Sequence, residues 1–203
     1  MIRRPFANYE DYLERQRGKA ESPALRFYLR QNRASRIAGF VAAFTEARLV
    51  EIAPPAETLA VLCLGARAGE EVEAFRELGY GGATGVDLAP LCDFVQQGDY
   101  HALTWDDDWF DIVYSNCLDH VYDLDRFCSE AWRVLRPGGL ALFHLAMQMP
   151  MGSHESLTLE SADEIVEKLP GPVTMLMNCW KTLTLYKSGG LNYELLIQKR
   201  TGT

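Results

Sequence analysis

The chain has 203 residues, 48% hydrophobic and 24% charged, a balance that suits a globular protein about one domain long. No apolar run approaches the ~20 residues a membrane helix needs, and the arginines at positions 3 and 4 have no apolar stretch behind them, so neither a membrane span nor a secretory leader is expected. The formal charge of −8 is uneven: residues 1–48 hold ten Lys/Arg against five Asp/Glu (+5), and residues 49–203 hold ten against twenty-three (−13). That disfavours broad nucleic-acid binding and leaves a basic N-terminal segment able to attract an anionic ligand.

In chain order, two helices are expected first. Phe6 to about Arg17 is short and amphipathic, and about Pro23 to Val50 carries an apolar stripe at helical spacing. Gly39 weakens the middle of that stripe, and Pro54-Pro55 ends it. The pattern then alternates. TLAVLCLG reads as a strand buried on both faces and EEVEAFRELGY as a helix closed by Gly79. GATGVDL is a second strand, Phe94–Gln97 a short third and WFDIVYSN a fourth. DLDRFCSEAWRVL is a helix, and PGGLALFHL a turn feeding a fifth strand. A helix near Ser161–Leu169 and strands at about Val173–Leu185 and Asn192–Gln198 close the chain, joined by a Lys187–Gly190 turn that suggests one antiparallel strand. Such alternation predicts an α/β fold with a mostly parallel sheet covered on both faces.

The five cysteines (Cys63, Cys92, Cys117, Cys128 and Cys179) form no CxxC pair. They read as free thiols of a reducing cytoplasm, and no metal-ligand cluster is apparent.

In an open parallel sheet, ligands bind at the carboxyl ends of the strands. The first such loop is Leu64-Gly65-Ala66-Arg67-Ala68-Gly69-Glu70-Glu71. Gly65 and Gly69 let the backbone turn tightly and approach a ligand. Glu70 and Glu71 in the first helical turn complement the helix dipole but repel a pyrophosphate, which favours a phosphate-free adenosine ligand. Asp87 follows Gly65 by 22 positions, where a carboxylate can grip a ribose diol, and Leu88 beside it can cover an adenine face. Gly98-Asp99-Tyr100 follows, with Asp99 able to accept from the adenine amino group, and Asn116 ends the fourth strand.

Gly65…Gly69, Val86-Asp87-Leu88, Gly98-Asp99, FDIVYSN and RVLRPGG, in this order, resemble the class I S-adenosylmethionine-dependent methyltransferases. The resemblance is strong over about residues 58–146 and elsewhere concerns layout only. It implies a Rossmann-like three-layer α-β-α sandwich: a seven-stranded, mostly parallel sheet with an antiparallel last strand. Residues 1–203 would form a single domain, with 1–50 an N-terminal helical lid and 58–203 the core. S-adenosylmethionine would be the cofactor and S-adenosylhomocysteine the product. Gly65, Ala66, Arg67 and Gly69 would line the methionine end, and Asp87 would hold the ribose. Leu88 and Tyr100 would flank the adenine beside Gly98, Asp99 would meet its amino group, and Asn116 would contact the methionine portion. Two positions depart from the family: it usually has an acid, which helps hold the methionine ammonium, at Cys63 and a glycine at Arg67. Arg67 is therefore expected to fork onto the methionine carboxylate, or else to pair outward with Glu70 or Glu71.

Methyl transfer needs alignment of the acceptor and, for a protonated nucleophile, a base. Asp119 and His120 after the fourth strand are best placed, with Tyr122 close by; the alternative is that His120 caps or packs against the next helix. His101, His144 and His154 are weaker candidates. Phe6, Tyr9, Tyr12 and Tyr28 would line the acceptor pocket or pack it shut. The expected activity is methylation of an O- or N-nucleophile on a small molecule, with the basic N-terminus favouring an anionic one. A non-catalytic cofactor-binding module and a nicotinamide-dependent oxidoreductase are the alternatives. The acceptor's identity and the oligomeric state are left open.

Overall fold

Capping side chains and short apolar runs set the elements of the computed structural model, which describes residues 1–152, 155–181 and 190–200. After a two-residue strand, β1 (Ile2–Arg3), Asn8 accepts from the Asp11 N–H at 3.0 Å and the Asp11 carboxylate accepts from the Ala7 N–H at 3.1 Å. This exchange starts α1 (Tyr9–Glu21). Ser22 and Pro23 start α2 (Pro23–Glu46), with proline where a missing N–H costs nothing. The sequence predicts one helix to about Val50. Instead α2 stops at Glu46, and Arg48 turns left-handed (φ 56°) before a single turn, α3 (Leu49–Ile52).

The alternating region forms β2 (Ala60–Leu64), α4 (Glu70–Glu77), β3 (Gly82–Asp87), β4 (Val95–Gln97) and β5 (Phe110–Ser115). A 3-10 turn at Leu118–His120 precedes α5 (Leu124–Val134), capped by Asp123. Then come β6 (Leu135–Leu145), β7 (Leu157–Thr158), a one-turn α6 (Asp163–Val166), β8 (Val173–Trp180) and β9 (Tyr193–Lys199). The seven-stranded sheet has the order β4-β3-β2-β5-β6-β9-β8. Strands β2 to β6 pair in parallel, and β9 runs antiparallel to both β6 and β8, as the sequence predicts for the last strand. Alternate residues of β2 feed two cores. Leu62 and Leu64 join Phe127, Val134 and Phe143 on the α5 face; Val61 and Cys63 join Phe40, Phe44 and Phe75 on the α2–α4 face. Each such buried side chain contributes about 1.5–3 kcal/mol. The result is a Rossmann-like fold.

Two further boundaries differ from expectation: strand β6 begins at Leu135, so the Pro-Gly-Gly turn lies inside it, and α6 is one turn. Of the strand expected at about Val173–Leu185, β8 covers Val173–Trp180, and residues 182–185 lie outside the described residues. The expected Lys187–Gly190 turn and His154 lie outside the described residues, apart from Gly190 itself. One feature is new. β1 pairs antiparallel with β7, and the Arg4 N–H donates to Ser156 O at 2.8 Å. Ser156 in turn donates from its N–H to Asp119 O (2.6 Å) and from Oγ to His120 O (2.9 Å), so the N-terminal strand is tied to the loop after β5. No described helix is long and apolar enough to cross a membrane.

Candidate functional site

The strand order reverses between β2 and β5, which opens a crevice at their carboxyl ends. Gly65 (φ 77°) ends β2 there, with its N–H on Val86 O at 2.8 Å. Gly69 (φ 73°) starts α4 without a side-chain cap; a Cβ on it would come within 2.3 Å of the Phe94 ring. Gly69 thus serves the turn, whereas Gly65, Ala66 and Arg67 line the crevice. Asp87 is buried at the end of β3. Its Oδ2 accepts from the Arg67 N–H (3.2 Å) and its Oδ1 from the Ala89 N–H (2.9 Å), so it also holds the loop.

Three adjoining hollows occupy the crevice. The first, about 30 Å³, is lined by Gly65, Arg67, Asp87, Leu88, Tyr100 and Gln16. The second, about 120 Å³, lies against Gly65, Ala66, Arg67, Asn116, Glu70 and Glu71. The third, about 330 Å³, runs past Asn116, Asp119, His120 and Glu155 to Leu25, Tyr28 and Leu29 of α2. Arg67 and His120 border all three. Arg67 pairs with neither Glu70 nor Glu71: its Nε is buried, makes no hydrogen bond among the described residues, and stands 3.9 Å from Asp87 Oδ1.

Gly98 and Asp99 lie apart from these hollows, on a small cleft with Ala102 and Trp105. His101 Nε2 accepts from the Asp123 N–H at 3.2 Å, so its protonated Nδ1 donates to Asp99 Oδ1 at 2.8 Å. The Tyr9 hydroxyl donates to Asp99 Oδ2. Burial alone would raise the Asp99 carboxyl, but these hydrogen bonds outweigh it and hold it below its usual range. Tyr100 is buried with its hydroxyl 2.7 Å from that of Tyr12. Helix α1 therefore lies directly over this end of the crevice.

Tyr122 packs into the same aromatic cluster, 5.0 Å from Tyr9 and 5.2 Å from Tyr12 between ring centres, and borders none of the three hollows. His120 stands in the crevice with Lys19 Nζ 3.0 Å from its Nε2 and Asp119 Oδ2 at 3.8 Å. Burial, then Arg67, lower Lys19 against the pull of Asp119 and Glu155. Asp119, His120 and Glu155 each offer a ligand atom within 4.8 Å of the others, with the Lys19 nitrogen against them. His144 is a core residue, bonded to Tyr114 at 3.0 Å and Glu194 at 3.2 Å.

Sequence reasoning missed Lys19, Gln16, Glu155 and Arg36. Arg36 is buried on α2 and pairs with Glu70 Oε1 at 3.0 Å. A signal existed: Arg36 falls between Leu29 and Phe40 on the apolar stripe of α2, where a charge must have a buried partner. Glu155 had none, because it reaches the site through the long-range bonds of its neighbour Ser156 to Asp119 O and His120 O.

The family model for a methyltransferase domain matches residues 62–143. Comparison with curated proteins gives no match. Among solved structures, the 1,6-didemethyltoxoflavin-N1-methyltransferase of Burkholderia thailandensis, determined with 1,6-didemethyltoxoflavin and S-adenosylhomocysteine, is similar at TM-score 0.72 and 16% identity, covering 98% of this chain and 94% of that one. The geranyl diphosphate C-methyltransferase of Streptomyces coelicolor gives 0.57 at 16% identity over 77% of this chain and 80% of that one. The cyclase SpnF gives 0.57 at 16% identity over 77% and 81%. One fold thus serves different acceptors and reactions, and the site must decide between them.

Proposed function

We propose that this chain, whose residues 62–143 match the family model for a methyltransferase domain, transfers the methyl group of S-adenosylmethionine to an oxygen or nitrogen atom of a small anionic molecule. The observation that carries this reading is the run of adjoining hollows from Asp87 and Leu88, past Gly65–Arg67 and Asn116, to His120. The residues suit the cofactor. A carboxylate at the end of β3 can take the ribose hydroxyls, the unbonded Arg67 Nε can turn to the carboxylate of the amino-acid end, and Asn116 borders both the cofactor and acceptor hollows. Two buried acids at the start of α4 speak against a pyrophosphate and so against a nicotinamide cofactor.

When bound, the cofactor supplies an electrophilic methyl group on a sulfonium. The chain's own residues do the rest. The walls of the third hollow fix the acceptor's approach, and Lys19 and Arg67 offer it positive charge. His120 takes the acceptor's proton at Nε2, the nitrogen now facing Lys19, and Asp119 steadies the imidazolium that forms. Asp99 meets the adenine amino group once Tyr9 releases it. The first hollow, about 30 Å³, is too small for an adenosine, so residues 1–50 act as a lid that shifts on binding over the core of the same domain. A cytoplasmic location fits the five free thiols.

Calorimetric titration with S-adenosylmethionine, S-adenosylhomocysteine and NADH tests the reading. Binding of the first two, lost in Asp87→Ala, is the expected result. Binding of NADH alone would overturn it. Tight cofactor binding with no methyl transfer to any of a panel of anionic small molecules would leave a binding module instead.

A further inference from the structure

Glu71 is a buried acid that the proposed reaction does not use. Glu70 and Glu71 sit side by side in the first turn of α4, 1% and 4% exposed. Glu70 is neutralised by Arg36, whereas Glu71 forms no ion pair among the described residues. Two desolvated carboxyls thus share one guanidinium, so Glu71 stays neutral unless a second cation enters beside it. Glu71 lines the second hollow with Gly65, Ala66 and Asn116. On the reading above, that hollow receives the amino-acid end of the cofactor, because Asp87 and Leu88 take the ribose and adenine in the first. Cys63 on β2, buried below, is a neutral thiol pushed up by its burial and then by the Glu71 carboxyl beside it. It offers no charge to an ammonium.

We propose that Glu71 is the carboxylate that receives the ammonium of the cofactor's amino-acid end, and that it gives up a proton to do so. This rests on the methyltransferase reading. The ammonium keeps its own protons, the Glu71 carboxyl ionises against it, and the proton leaves to solvent. The groups around Glu71 support the coupling. Burial, then Glu70, push its carboxyl up to about 8; its own backbone N–H and Arg36 oppose, and Asp87 adds to the rise. In the free protein Glu71 is therefore protonated at neutral pH, and a cation beside it lowers that value on binding. Affinity should accordingly rise with pH up to about 8, by at most about tenfold per unit.

The test is titration at about pH 6.5 in two buffers of different ionisation enthalpy. At that pH the ligand's own α-amino group, which titrates near ~8, is charged. S-adenosylhomocysteine should release close to one proton; 5′-methylthioadenosine, which lacks the amino-acid end, should release none. Glu71→Gln should abolish the release and weaken S-adenosylhomocysteine about tenfold or more, while 5′-methylthioadenosine binds as before and so reports an intact fold. Glu71→Asp should restore part of the release. If S-adenosylhomocysteine binds the wild type without releasing a proton, or Glu71→Gln releases as many, this inference fails and the methyltransferase reading stands. If neither adenosine ligand binds, both fail.

Discussion

The two walls of the crevice are built differently. The strand-end wall (Gly65–Arg67, Asp87, Asn116–His120) is fixed by backbone hydrogen bonds from adjoining parallel strands, such as Gly65 N–H to Val86 O. The helical wall (Tyr9, Tyr12, Gln16, Lys19 and Arg36) is held by side chains reaching across as many as 101 positions in sequence. The first wall is set by the sheet itself. The second makes its contacts with Asp99 and His120, the groups proposed above to meet a ligand. A wall of backbone keeps its shape whether or not a ligand is present, while a wall of side chains must exchange one set of partners for another.

Cutting the tie between the walls should have the largest effect. Arg36→Met leaves Glu70 buried without its guanidinium, and breaking such a pair typically costs about 3–5 kcal/mol. Urea denaturation followed by circular dichroism measures this, and a loss under about 1 kcal/mol would mean the walls are not coupled here. Next comes the strand-end wall itself. Asp87→Ala removes the proposed ribose contact and the acceptor for two loop N–H groups, so cofactor affinity should fall by roughly 100-fold, about 2.7 kcal/mol. His120→Gln should then reduce kcat about 100-fold with the cofactor Kd unchanged, the ordinary size of a general-base effect. A parallel loss of cofactor affinity would move His120 from acceptor chemistry to cofactor binding.

The same contrast explains what the sequence made legible. The strand-end wall follows from local pattern: an apolar run, a glycine that must turn, an acid at the end of the next strand. Gly65, Asp87 and Asn116 can therefore be placed at the strand ends from local pattern, whereas the seven-stranded sheet is what the family resemblance implies and its strand order is seen only in the structure. The helical wall depends on how α1 and α2 dock, which no spacing encodes. Tyr122 illustrates the difference. Spacing groups it with His120, two residues earlier, but it follows the 3-10 turn at Leu118–His120 and packs into the ring cluster beneath α1. Spacing offers Asp99 as an acceptor for the adenine amino group, but nothing in its neighbourhood announces Tyr9, 90 positions earlier. Glu155 reaches the site through its neighbour Ser156, bonded to Asp119 O and His120 O, and through β7, which pairs with β1, a strand of two residues and too short to carry a periodicity.

The smallest effect is the sharpest test of the helical wall. The Tyr9 hydroxyl donates to Asp99 while His101 already serves the other oxygen. Tyr9→Phe keeps the ring stacked on Tyr12 and edge-on to Tyr122 but removes the donor. If the contact only braces the fold, the variant loses a little stability and its cofactor affinity does not change. If it competes with the ligand for Asp99, the lid opens more readily and the apparent affinity rises. A hydrogen bond of about 0.5–1.5 kcal/mol converts to a gain of roughly 2- to 12-fold. The gain should be absent in Asp99→Asn, where Tyr9 and the adenine no longer compete for a carboxylate. A variant that bound more weakly than the wild type would show that Tyr9 belongs to the bound state, and that the helical wall closes on its ligand without first letting go of itself.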